Sequence, residues 1–120
     1  MAQINKSGEI FIIGSNGKLS KNKVKNKNLP FIFGNPKIEE FLEFKEIVDK
    51  SKFSYKQIKN LYFFPSKRWD IKLMDNTLIK LSKNYKLNKL DDVYEFINSQ
   101  KPKKFNIIDA RIKNQIIIND

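Results

Sequence analysis

Arg68-Trp69-Asp70-Ile71-Lys72-Leu73-Met74-Asp75-Asn76-Thr77-Leu78-Ile79-Lys80-Leu81 is the stretch on which the fold turns. Trp69, Ile71 and Leu73 alternate with Asp70 and Lys72, the two-residue period of a strand with one apolar and one wet face. Asp75-Asn76 stands where a two-residue hairpin turn is needed, and both residue types tolerate positive φ. Thr77, Ile79 and Leu81 then bring the apolar face back, so the stretch reads as a β-hairpin. Because Trp69 shares a face with Ile71 and Leu73, it is expected in the core rather than in a ligand-stacking role.

Upstream, Lys6-Ser7-Gly8 separates a short apolar start from the strand-like run Glu9 to Ile13, a second hairpin, which Ser15-Asn16-Gly17 breaks. From Lys18 to Asn28 five lysines occur without an acid, and the absence of apolar periodicity predicts a mobile, solvated loop. Leu29 to Gly34 is a short apolar strand with Pro30 near its start. Asn35 is placed to cap a helix with Pro36 at its first position. Ile38, Phe41, Leu42, Lys45 and Val48 keep helical spacing to about Lys50, while Glu39, Glu40, Glu43, Glu46 and Asp49 face mainly water. Ile58 to Phe64 returns to strand chemistry.

Downstream, Asn88 is the expected cap of a second helix, with Asp91 and Asp92 in its first turn and Leu90, Val93, Tyr94 and Ile97 on one face. That helix ends before Lys101-Pro102. Phe105 to Ile112 and Gln115 to Asn119 are β-branched runs joined by Lys113-Asn114, a terminal hairpin. The order is strands, helix, strands, helix, strands, joined mostly by hairpins. It predicts a single α+β domain over residues 1–120, a mixed, mainly antiparallel sheet with two helices packed against it.

Composition narrows the function. The 120 residues are 40% hydrophobic, enough for one core. Apolar runs such as Ile10 to Ile13 are far shorter than the roughly 18 residues that cross a bilayer. Cys and His are both absent, which removes thiol nucleophiles, the usual zinc ligands and the commonest general base. Asp70, Asp75, Asp109 and the helical acids are scattered, and Asp70 and Asp109 have basic neighbours to pair with. No catalytic site, cofactor or metal site is expected. The net charge of +11 raises nucleic acid as a partner, but the excess is almost all Lys, in a chain also crowded with Asn and Ile, as AT-rich codons favour. The aromatics that could stack on bases fall on core faces, so no specific nucleic-acid role is expected.

Read together, Arg68-Trp69-Asp70-Ile71-Lys72-Leu73, the turn at Asp75-Asn76, Ile79-Lys80-Leu81, Phe105-Asn106-Ile107-Ile108-Asp109-Ala110-Arg111 and Gln115-Ile116-Ile117-Ile118 resemble the FtsQ/DivIB family of bacterial cell-division proteins. Gly8, Ile12, Gly17, Leu29-Pro30 and Gly34 stand where that family has its glycines and its Leu-Pro-x-x-x-Gly segment. Two departures stand out: Asp75-Asn76 replaces an Asn-Gly turn, and Ala110 replaces a Leu while leaving Asp109 and Arg111 on one face. The resemblance makes Arg68, Trp69 and Asp109 structural. It implies a non-catalytic extracytoplasmic β domain, incomplete at its N-terminus, that normally follows a cytoplasmic segment, a single inner-membrane helix and a POTRA domain. It further implies FtsB and FtsL as partners in the division complex, bound through the last strands, here Arg111, Ile112, Lys113, Asn114, Gln115, Ile116, Ile117, Ile118, Asn119 and Asp120. A basic nucleic-acid-binding module and a surface interaction protein of unknown partner are the alternatives. The three successive Ile residues fit either a bare sheet edge awaiting a partner strand or an interior strand buried on both faces.

Overall fold

The computed structural model describes residues 1–22, 28–85 and 87–119, with only the backbone of Asn22. In chain order its elements are β1 (Ala2–Lys6), β2 (Glu9–Ile13), β3 (Leu19–Asn22), β4 (Phe31–Phe33), α1 (Ile38–Lys50), β5 (Ile58–Phe63), β6 (Trp69–Leu73), β7 (Leu78–Leu81), α2 (Leu87–Ser99), β8 (Ile107–Ala110) and β9 (Ile117–Asn119). The nine strands among the described residues form one sheet in the order β3-β2-β1-β4-β5-β6-β7-β8-β9. Pairing is parallel where a longer connection intervenes, at β1/β4, β4/β5 and β7/β8, and antiparallel elsewhere. The result is the α+β fold the pattern predicts, mixed and mainly antiparallel.

One cross-strand row explains the layer structure. Ile4, Ile32, Leu61, Ile71, Ile79 and Ile108 stand side by side across six strands, and all are buried. Their side chains share the face against which Phe41, Phe44 and Val48 of α1 and Leu90 and Val93 of α2 pack. Trp69 lies here too, 3% exposed, its indole stacked on Phe44 (centroids 4.5 Å apart) and tilted against Phe63 (4.7 Å). The segment that follows α1 is tied to α2, where Phe53 meets Tyr94 edge-on and Lys52 bonds both Asp91 and Glu95.

Several local expectations give way to tertiary context. Leu19–Asn22, read as loop, is strand β3 on the edge of the sheet, where the β2 ladder and a Lys21–Glu9 ion pair (2.9 Å) supply what its composition does not. Lys23, Lys25 and Lys27 lie outside the described residues. Helix α1 starts after Lys37 rather than after Asn35: the Glu40 carboxylate accepts the Lys37 backbone N–H (2.8 Å) and closes the first turn there. Pro36 is buried just ahead of it. Gly34 sets the approach, with φ +107° and a would-be Cβ 2.1 Å from the Phe63 carbonyl oxygen. Phe44, absent from the expected apolar stripe, is fully buried. In α2, Asn88 sits inside the first turn and is not the cap.

The β6/β7 connection has three residues, not two. Leu73 N–H donates to the Thr77 carbonyl and Asn76 N–H to the Leu73 carbonyl, which leaves Met74-Asp75-Asn76 as the loop. Asn76 takes the left-handed position (φ 71°), and the Asp75 side chain accepts the Thr77 N–H at 3.0 Å. A hydrogen-bonded turn closing on one left-handed residue makes the same reversal as the expected two-residue turn.

Candidate partner-binding edge

The terminal hairpin is built by three attachments. β9 pairs antiparallel with β8, Ile107 opposite Asn119, Ile108 opposite Ile118 and Asp109 opposite Ile117. Its connection is a turn in which Gln115 N–H donates to the Ile112 carbonyl and Asn114 holds positive φ (62°). From α2, the Lys89 ammonium donates to the carbonyls of Ile112 (3.2 Å) and Gln115 (2.8 Å), pinning that turn to the helix layer. Ile116 is half-buried against the core.

Among the described residues no strand pairs with the outer side of β9, so in this sheet it is an edge. The interior-strand alternative fails. Ile118 extends the buried isoleucine row by one strand, but the helices do not cover it and it remains 38% exposed. Ile117, on the other face, is 47% exposed, and Ile112 in the turn 50%. β9 holds neither Pro nor a charged side chain, the usual guards of a free edge. Of the ten terminal residues singled out from sequence, Arg111 to Asn119 lie together on this hairpin, and Asp120 is outside the described residues.

On the helix-free face, Tyr62, Asp70, Lys80, Asp109 and Ile117 form a second cross-strand row. Arg111 leaves β8 at its end and grips Asp109 with two bonds, Nε to Oδ1 at 2.9 Å and Nη2 to Oδ2 at 2.6 Å. That bonding holds the Asp109 carboxyl below the usual range. Asp70 behaves oppositely. The alternation assigned it to a wet face, yet it is buried at 3% exposure, and burial raises its pKa despite Arg68 nearby. Arg68 lies over the Phe64 ring (4.4 Å) and reaches Asp70 at 3.5 Å, leaving Arg68 Nη1 and Asp70 Oδ1 buried without a partner. The Arg68–Asp70 spacing, two residues on one strand face, was the available sequence signal for that pair; nothing in the sequence marks Lys89.

Chemically this region is an exposed strand edge with apolar side chains on both faces. Among the described residues no three His, Cys, Asp or Glu side chains converge to hold a metal ion. A family model described as "Cell division protein FtsQ/DivIB, C-terminal" matches residues 2–111. The chain belongs to the FtsQ/DivIB family. The match runs from the start of β1 to one residue past β8, so the whole sheet except β9 falls within this family's C-terminal region. Comparison with curated proteins gave no match. As a member of the family the chain is a cell-division protein, and no described helix is long and apolar enough to cross a membrane.

Proposed function

We propose that this FtsQ/DivIB domain is a non-catalytic docking module of the division complex that takes up a strand from FtsB, together with FtsL, along β9. In this reading it stands on the extracytoplasmic side of the inner membrane, tethered by a single spanning helix of the parent protein. The observation that carries the reading is the bare β9 edge, with Ile117 and Ile118 exposed at 47% and 38%. Outward main-chain groups there would bond an incoming strand, while the two Ile side chains, one on each face, would fix its register. Arg111 and Lys113, exposed at the near end of the hairpin, suit acids on the partner at the rim.

Proline substitution along the edge tests this directly. In an antiparallel strand, successive residues turn their N–H groups alternately to the neighbour and away from it. Of Ile117→Pro and Ile118→Pro, one therefore removes an outward N–H and the other an N–H bonded to β8. The first should keep the wild-type melting temperature yet lose at least about tenfold in affinity for a purified FtsB–FtsL extracytoplasmic complex, measured by calorimetry. Folded variants at both positions that bind as tightly as wild type would refute strand addition.

A further inference from the structure

At the end of the sheet where α2 runs out, a cavity of about 280 Å³ opens between the β6/β7 loop and the segment leading into β8. Its floor is Thr77, Ile97, Phe105 and Ile108, of which Thr77, Phe105 and Ile108 are buried and Ile97 is half-buried on α2. Lys101, Lys103 and Lys104 stand exposed around it. Among the described residues none of the three is in an ion pair; Lys103 lies over the Phe105 ring at 5.3 Å. One acid lines the cavity, Asp75, and one of its oxygens is already engaged by the Thr77 N–H. The site is thus concave, apolar at its base and positively charged at its mouth.

We infer that this cavity is a second docking point, which takes one large apolar side chain carried on an acidic peptide segment of a protein partner. Its volume falls at or below the roughly 300 to 1,000 Å³ of sites that enclose small molecules, and suits a single buried anchor instead. Three unpaired ammonium groups at the mouth select acids on both sides of that anchor, and the chain's charge of +11 steers such a segment toward it. The rim lysines follow α2, whose last turn holds no basic residue, so they form a separate cluster in the loop and not part of the helix. The inference is independent of strand addition at β9: the cavity lies on the helix side of the sheet, beside Ile108 of β8 and Ile97 of α2, and uses none of the edge residues.

The test is an NMR titration of the ¹⁵N-labelled chain with two blocked peptides, Glu-Asp-Phe-Glu-Asp and Glu-Asp-Ala-Glu-Asp, at about 0.15 M salt, where exposed charges more than about 8 Å apart are screened. Saturable shifts of the Thr77, Ile97, Phe105 and Ile108 amides are expected with the first peptide, and roughly tenfold weaker binding with the second, which lacks the anchor. Lys101→Glu, Lys103→Glu and Lys104→Glu combined should abolish the response and leave the melting temperature unchanged, since all three side chains are exposed. Equal responses to both peptides would reduce the site to a charge patch and overturn the inference. So would no response at those four amides, shifts confined to Ile117 and Ile118, or a response to phosphatidylglycerol vesicles or oligo(dT) in the absence of one to the Phe peptide.

Discussion

Replacing Trp69 by Ala probes the centre of the packing. The indole is 3% exposed and lies between Phe44 of α1 and Phe63 of β5, with centroid distances of 4.5 and 4.7 Å. An aromatic of this size buries about 150–250 Å², and truncating one in a core costs about 3–5 kcal/mol once the cavity left behind is included. A domain of this length gains about 6–18 kcal/mol from folding, so the loss is a large share of the total. At an unfolding entropy of about 2.1 cal/mol/K per residue, 120 residues give about 250 cal/mol/K, and the melting temperature should drop by about 12–20 °C. Circular dichroism at 222 nm follows the transition, because the variant loses the only Trp of the chain. Trp69→Phe, which keeps a ring against Phe44, should lose about 1–2 kcal/mol, or about 4–8 °C. A drop of less than about 4 °C for the Ala variant would show that the indole is not enclosed, and the two-layer packing described here would be wrong.

Gly34→Ala should destabilise by about 2–4 kcal/mol in denaturant melts, because its Cβ would meet the Phe63 carbonyl oxygen at 2.1 Å with φ at +107°; an unchanged midpoint would contradict the close approach of the Gly34 backbone to β5. Asp70 and Asp109 should titrate in opposite directions when their carboxyl carbons are followed by NMR, Asp70 above and Asp109 below the ordinary range. For Asp109 the depressed value means stability present above the unfolded pKa and lost as pH falls through the folded one. For Asp70 the raised value means stability falls as pH rises from the ordinary carboxylate pKa through the folded value. Coincident titrations would remove the basis for both signs. Lys89→Ala should free the 112–115 turn, cost about 0.5–1.5 kcal/mol, and speed amide exchange in β9 several-fold more than in β6, whereas equal protection in the two strands would show that Lys89 does not restrain the hairpin.

The residues alone determined the element types wherever a period was strong. Trp69-Ile71-Leu73 and Thr77-Ile79-Leu81 could only be strands with a common buried face, and the glycine, asparagine and lysine turns between the outer strands marked hairpins, because side-chain alternation and positive φ are properties of single residues and their nearest neighbours. The family resemblance rested on the same local features. Neighbourhood across the sheet was not written in any one segment. Leu19–Asn22 has the composition of a loop and becomes a strand because β2 offers it a ladder; Asp70 has the alternation of a wet position and is buried with Arg68; Asn35 has the chemistry of a cap and loses the role to Glu40 closing on Lys37. The candidate edge divides in the same way. Three consecutive Ile residues announced a strand without saying which side of it would be open. Only the strand order decided that: β9 comes last, past the reach of both helices, so Ile118 continues the core row of Ile79 and Ile108 and yet stays in water.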